Sequence, residues 1–287
     1  MLKGTFVLPN DISSKETPRK FSTRNDESWF DGGYTALSII HLANLEYISY
    51  ACENGGELFI NIVPFDAQSG VEPRKIEKSE NELRGHTDGC SFPFEDELHL
   101  INEGLPLAPD FILLIGYKNP QSTPTYIIPL STIIEQLNPS IVEELKKPIY
   151  DIGNQRTFNI NQQLVEVPLI ANYRSNDEYQ IRYSHSSVAG PEDNPAAGAI
   201  QQLDLAITQC KIPVVIEPGD ILLINNRTAL HGRGKVGERN NQLEHENRWI
   251  QRIYASTKRT NKNIIPFMLG PQIQDEFTGN IEEFILK

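Results

Sequence analysis

Apolar residues in this chain are gathered into short runs closed by proline, glycine or a polar turn, and this spacing is what most restricts the fold. Strand-like stretches are predicted at 57–63, which stops at Pro64, and at 110–117, 125–129, 164–170, 179–183, 214–217, 220–225 and 248–256. Runs this short suit strands and fall below the length of a self-supporting helix. Pro218-Gly219-Asp220 separates two of them by a tight turn. Helical spacing of apolar residues is confined to 34–52, closed by Gly55 and Gly56, to 131–147 and to 196–210. Many strands without a regularly alternating helix argue against an α/β fold. The expected class is mainly β with peripheral helices (α+β), built on a double-stranded β-helix, or jelly roll, core.

A chain of 287 residues, 39% of them hydrophobic, is long enough to bury one substantial core, and no repeat or low-complexity tract divides it. One domain is therefore expected over 1–287, with a polar N-terminal extension at 1–30, a core over 31–256 and a C-terminal segment at 257–287. The net charge of −12, with no basic block, argues against a nucleic-acid partner and for a small molecule. The oligomeric state is not legible. Cys52, Cys90 and Cys210 are odd in number and far apart, as expected of free thiols in a reducing, cytoplasmic setting. The N-terminal apolar segment is too short for a signal peptide, and no run reaches membrane-spanning length, so no membrane partner is expected.

The chemistry is concentrated in His86-Thr87-Asp88. In an extended segment, side chains two residues apart share a face. An imidazole and a carboxylate on that face supply two members of a 2-His-1-carboxylate triad, which holds non-haem Fe(II) with coordination positions left open. His231, in Ala229-Leu230-His231-Gly232-Arg233 after a strand-like run, is the candidate third member. In 248–256, alternation places Arg248, Ile250, Arg252 and Tyr254 on one face. Guanidiniums directed into a core each need an anion. The pair thus points to two carboxylate-bearing ligands, or to one ligand and one internal acid. A lone H-x-D describes a solvated pair more often than a metal site; His231 and the two arginines together reverse that balance. His41, in the first predicted helix, is expected to be structural. His99, beside Glu95, Asp96 and Glu97, and His245, in a polar loop, are expected in solvent, and Cys90 is not needed as a ligand.

Taken in order, the segments Gly56-Glu57-Leu58-Phe59-Ile60-Asn61-Ile62-Val63-Pro64, His86-Thr87-Asp88, Pro218-Gly219-Asp220, Leu230-His231-Gly232-Arg233 and Arg248-Trp249-Ile250-Gln251-Arg252 carry a family resemblance. The chain resembles the clavaminate synthase-like branch of the Fe(II)/2-oxoglutarate dioxygenases, related to the taurine dioxygenases and including free amino acid hydroxylases. The resemblance implies that His86, Asp88 and His231 are the iron ligands. It implies that Arg248 pairs with the distal carboxylate of the cosubstrate 2-oxoglutarate, which Thr125 also contacts, and that Arg252 meets the α-carboxylate of an amino acid. The long loop at 234–247 keeps the reverse assignment of the two arginines open. With O2, an enzyme of this kind hydroxylates an unactivated carbon and releases succinate and CO2. Asp88 stands where related halogenases carry a small residue, which disfavours halogenation; the ligands do not separate hydroxylation from desaturation or epimerisation.

Relatives that act on basic amino acids carry acids in the segment that here reads Gln180-Ile181-Arg182-Tyr183-Ser184-His185-Ser186, which has none. Ser184 and Ser186 suit a neutral or amide-bearing side chain, and Ser79 and Asn81 are candidates for holding the α-amino group. An alternative is a taurine dioxygenase-like enzyme of a sulfonate or other small organic acid, and another is a non-catalytic jelly-roll binding module. The polar stretches 151–161 and 186–195 are candidate mobile covers.

Overall fold

The structure is a computed structural model that describes residues 1–8, 12, 17, 30–53, 56–64, 81–94, 97, 106–155, 157–158, 163–173, 175–191, 194–236, 248–257 and 268–269. Among these residues the elements run, in chain order, α1 (Phe30–Leu42), β1 (Leu45–Tyr50), β2 (Ile60–Ile62), β3 (Leu83–His86), β4 (Phe111–Lys118), β5 (Thr125–Pro129), α2 (Leu130–Gln136) and α3 (Pro139–Leu145). They continue with β6 (Tyr150–Ile152), β7 (Leu164–Val167), β8 (Ile170–Tyr173), β9 (Ser175–Ile181), β10 (Val188–Ala189), α4 (Asn194–Gln209), β11 (Ile212–Val214), β12 (Ile221–Asn225), β13 (Ala229–Arg233), β14 (Trp249–Thr257) and β15 (Met268–Leu269).

Every sheet is antiparallel, and two of them position the site. The larger is ordered β12-β4-β14-β1-β15, with β2 lying along the first half of β14. The smaller is ordered β11-β5-β13-β3. A three-stranded sheet, β10-β6-β7, and the β8-β9 pair lie apart from these. The two-residue period of the strands sorts side chains between layers. On β4, Ile112 and Leu114 join one apolar cluster with Tyr50, Leu222, Ile250 and Tyr254, while Leu113 and Ile115 join another with Ala36 and Ile40 of α1. Ile250 and Tyr254 therefore face away from α1, and Arg248 and Arg252 share their parity. A third cluster packs Ile128 and Leu230 of the smaller sheet against Ile133, Val142 and Leu203 of α2, α3 and α4.

Three departures from the sequence expectations have local causes. The helix expected over 34–52 stops at Leu42, where Asn44 takes a left-handed φ of 56° and turns the chain into β1. The helix expected over 131–147 is two helices, because Pro139 cannot continue a hydrogen-bonded turn; Asn138 caps the second through the Ser140 amide at 3.0 Å. The strand expected over 164–170 is broken by Pro168 into β7 and the start of β8. Among the described residues, no helix is long and apolar enough to cross a membrane.

Candidate metal centre

His86 and His231 are brought together by strand pairing. β3 and β13 run side by side with the two histidines as register partners, and their ring centroids lie 4.3 Å apart. Gly232 permits the approach: a Cβ there would sit 2.6 Å from the Leu83 carbonyl oxygen. Asp88 arrives differently from the extended His-x-Asp expected, since β3 ends at His86 and the chain then turns toward Gly89, whose φ is +66°. The turn returns the carboxylate to the histidines. Asp88 Oδ1 lies 3.3 Å from His86 Nε2 and 3.8 Å from His231 Nε2, and the three candidate ligand atoms all lie within 4.8 Å of one another.

The second Asp88 oxygen is engaged elsewhere. Oδ2 accepts from Arg252 Nη1 and from the Tyr254 hydroxyl, each at 3.0 Å, and Arg252 also donates through Nη2 to Glu53. Burial alone would raise the Asp88 carboxyl, but Arg252, His231 and His86 outweigh it and hold the group well below the usual carboxylate range. His231 is pushed down to about 3 by burial, aided by His86 and Arg252 and opposed by Asp88, so its imidazole is neutral. His86 Nδ1 lies 2.9 Å from the Arg84 carbonyl oxygen. A carbonyl only accepts, so Nδ1 carries a proton, which leaves Nε2, the nitrogen facing Asp88, as the atom able to ligate a metal once it is unprotonated. Two imidazole nitrogens and one ionised carboxylate oxygen form a donor set that fits Fe(II).

Beside this triad opens a cleft between the two sheets, about 450 Å³ with its mouth included, lined also by Thr125, Arg233, Arg248 and Arg252. Arg248 donates through Nη2 to Thr125 Oγ1 at 3.1 Å, and its buried Nε has no partner among the described residues. No carboxylate pairs with Arg248 among the described residues. Burial and the neighbouring Arg233 push its guanidinium down to about 9. Thr125 and Arg233 are register partners on β5 and β13. That places the cationic end of the cleft two residues, or roughly 7 Å, along the strand from His231.

The remaining sequence candidates are scattered. Asn81 is exposed, and its carbonyl accepts from Arg233 Nη2 at 2.7 Å. Ser184 is half-buried and bridges the His86 backbone, Ser186 is exposed, and neither lines the cleft. Ser79, His99 and His245 lie outside the described residues, and His41 is exposed on α1. Cys90 is buried with its thiol pushed up to about 12, by burial and then by Asp88, so it stays protonated and is a poor ligand. Glu53 was not anticipated and carries no local signal. The role of Tyr254 was foreshadowed only by its parity with Arg252.

No family model matches the chain. It is 24% identical over 193 residues to an L-lysine 3-hydroxylase of Catenulispora acidiphila, a match covering 65% of this chain and 49% of the relative. It is 22% identical over 211 residues to an L-asparagine oxygenase of Streptomyces coelicolor, covering 71% and 56% respectively. The matches thus span about half the length of these curated relatives. In fold, the chain is similar to asparagine oxygenase in complex with Fe(II), 2S,3S-3-hydroxyasparagine and succinate, with a TM-score of 0.70 at 19% identity over 88% of this chain and 73% of that one. It is also similar to the non-heme iron oxygenase OrfP in complex with Fe and alpha-ketoglutaric acid, with a TM-score of 0.67 at 20% identity over 88% and 75%. The sequence relatives are named as a hydroxylase and an oxygenase of amino acids and the fold neighbours as oxygenases, in keeping with the sequence resemblance.

Proposed function

We propose that this chain is an Fe(II)- and 2-oxoglutarate-dependent oxygenase that hydroxylates a free L-amino acid or amino acid derivative, in a single domain with a jelly-roll core. The observation that carries this reading is the meeting, in one cleft, of a buried His-Asp-His donor set with a buried guanidinium that has no anion among the described residues. His86, Asp88 and His231 are assigned to Fe(II), and Arg248 with Thr125 to the distal carboxylate of 2-oxoglutarate. Iron and cosubstrate, when bound, supply the activation of O2 coupled to oxidative decarboxylation that yields succinate and CO2.

The chain's own residues orient and select. Asp88 offers one oxygen inward because Arg252 and Tyr254 occupy the other. Arg252 lines the same cleft and is assigned to the substrate carboxylate, with Asp88 and Glu53 fixing its plane. Of the two arrangements weighed from the sequence, these assignments match the one with two carboxylate-bearing ligands, one for each arginine. The lack of acids over 180–186 favours a neutral or amide-bearing amino acid over a basic one. The three buried, free cysteines favour a cytoplasmic setting.

The test is anaerobic reconstitution with Fe(II) and 2-oxoglutarate, followed by admission of O2 while free L-amino acids and small sulfonates are screened. Succinate release stimulated by an amino acid, with a product gaining one oxygen, is the expected result. Stimulation by a sulfonate alone would move the assignment to the small organic acids, and absence of Fe(II) binding would reject the enzyme.

A further inference from the structure

The turn that carries Asp88 is buried from Thr87 to Phe92 but has left the sheet, so its polar backbone groups need partners from elsewhere. The backbone itself supplies two bonds: the Thr87 amide donates to the Tyr183 carbonyl at 2.8 Å and the Phe92 amide to the Gly89 carbonyl at 2.9 Å. Five more, the amides of Asp88, Gly89 and Cys90 and the carbonyls of Thr87 and Asp88, are met by two carboxamide side chains far away in sequence. Asn226 accepts from the Asp88 amide at 3.0 Å through Oδ1 and donates through Nδ2 to the carbonyls of Asp88 and Pro109, each at 2.9 Å. Gln155 accepts from the Gly89 amide at 2.6 Å and the Cys90 amide at 3.3 Å through Oε1, and donates through Nε2 to the Thr87 carbonyl at 2.8 Å. Only an amide, with an acceptor and donors on one planar group, completes both sets.

We propose that Asn226 and Gln155 are positioning residues that clamp the metal-ligand turn from its two sides and set where Asp88 meets the metal. The proposal rests on the assignment of Asp88 as a ligand. Each residue is anchored in turn through its backbone: the Asn226 backbone amide donates to the Asp110 carbonyl at 2.8 Å, and the Gln155 backbone carbonyl accepts from the Phe158 backbone amide at 3.0 Å. Phe158 packs edge-on against Phe92 and Tyr50, with centroids at 4.7 and 5.3 Å. The segment after β6, a candidate mobile cover in the sequence, is thus tied at Gln155 to the metal-ligand turn.

The test measures binding of Co(II) alone, and its ligand-field spectrum, in the full chain carrying Gln155→Met, Gln155→Glu or Asn226→Leu. Leu203→Ala, in the apolar cluster under α4, serves as a control of lowered stability. Clamp loss in Gln155→Met and Asn226→Leu is expected to weaken Co(II) binding about 10- to 100-fold and to alter the spectrum. Gln155→Glu, which keeps the acceptor, should restore part of both, and Leu203→Ala should lower the unfolding midpoint with the spectrum unchanged. If Asn226→Leu does not fold, Gln155→Met decides. Wild-type affinity and spectrum in a folded Gln155→Met overturn the clamp, whereas failure of the wild-type chain to bind Co(II) or Fe(II) overturns the function proposed above.

Discussion

Replacing Arg248 with methionine separates a cosubstrate anchor from a structural cation. Arg248 is buried, and its partner among the described residues is the neutral hydroxyl of Thr125, 3.1 Å away. Once 2-oxoglutarate is bound, removing the guanidinium would leave a buried carboxylate uncompensated, a change that costs about 3–5 kcal/mol. At about 1.4 kcal/mol per tenfold, that is a loss of about 100- to 5,000-fold in cosubstrate affinity. In the free protein the sign reverses. A buried cation without an anion is destabilising, so methionine of similar length should leave the unfolding midpoint unchanged or raise it. The assay pairs anaerobic calorimetric titration of the Fe(II)-loaded variant with 2-oxoglutarate and thermal unfolding of the metal-free, cosubstrate-free variant. Unchanged 2-oxoglutarate affinity would refute the reasoning and return the anchor to Arg252. A lowered midpoint in the free protein would show that Arg248 holds the fold.

His86→Ala or His231→Ala should abolish Fe(II) binding in calorimetry and turnover in the succinate assay. Tyr254→Phe removes a hydrogen bond from Asp88 Oδ2 and should weaken Fe(II) binding by about tenfold, with Arg252 still holding the carboxylate; wild-type affinity would deny the hydroxyl that role. Gly232→Ala drives a methyl against the Leu83 carbonyl and should destabilise the chain by about 1–3 kcal/mol in urea unfolding, besides spreading the two histidines. His231 is neutral in the folded chain down to about 3 and titrates near 6.5 when free, so between those values the unfolded state binds the extra proton. Stability of the metal-free protein should therefore fall as pH drops through that window, by up to about 1.4 kcal/mol per pH unit. Urea midpoints measured against pH should show this slope flattened in His231→Leu.

How far the site could be read in advance differed residue by residue. His86, Asp88, His231 and Arg248 are chemically unusual at buried positions, so order and spacing marked them before any contact was known. Thr125 was picked out, but its value lies in facing Arg233 across β5 and β13 while accepting from Arg248, a fact of register. Glu53, Gln155 and Asn226 carried no local signal. They are ordinary polar residues in turn-rich stretches, and the partners described above for their side chains lie 199, 65 to 68 and 117 to 138 residues away in sequence. Two of the departures in the fold were breaks at Pro139 and Pro168, and the third was an error of period. Residues 45–50 fit a helical stripe as well as an alternating strand, and pairing with β14 decided between them.

The sequence by itself determined the class of chain and the chemistry available to it: short strands with few helices, two histidines and a carboxylate able to take iron, and arginines that require anions. These follow from side-chain type and spacing, which are local. Tertiary structure decided how those groups are aimed. It paired His86 with His231, moved Asp88 off its strand into a turn secured by two distant amides, capped that carboxylate with Arg252 and Tyr254, and left Arg248 without an anion among the described residues. The physical reason is that burial makes each polar group find its partner in space, and where the strands cross sets which partner that is.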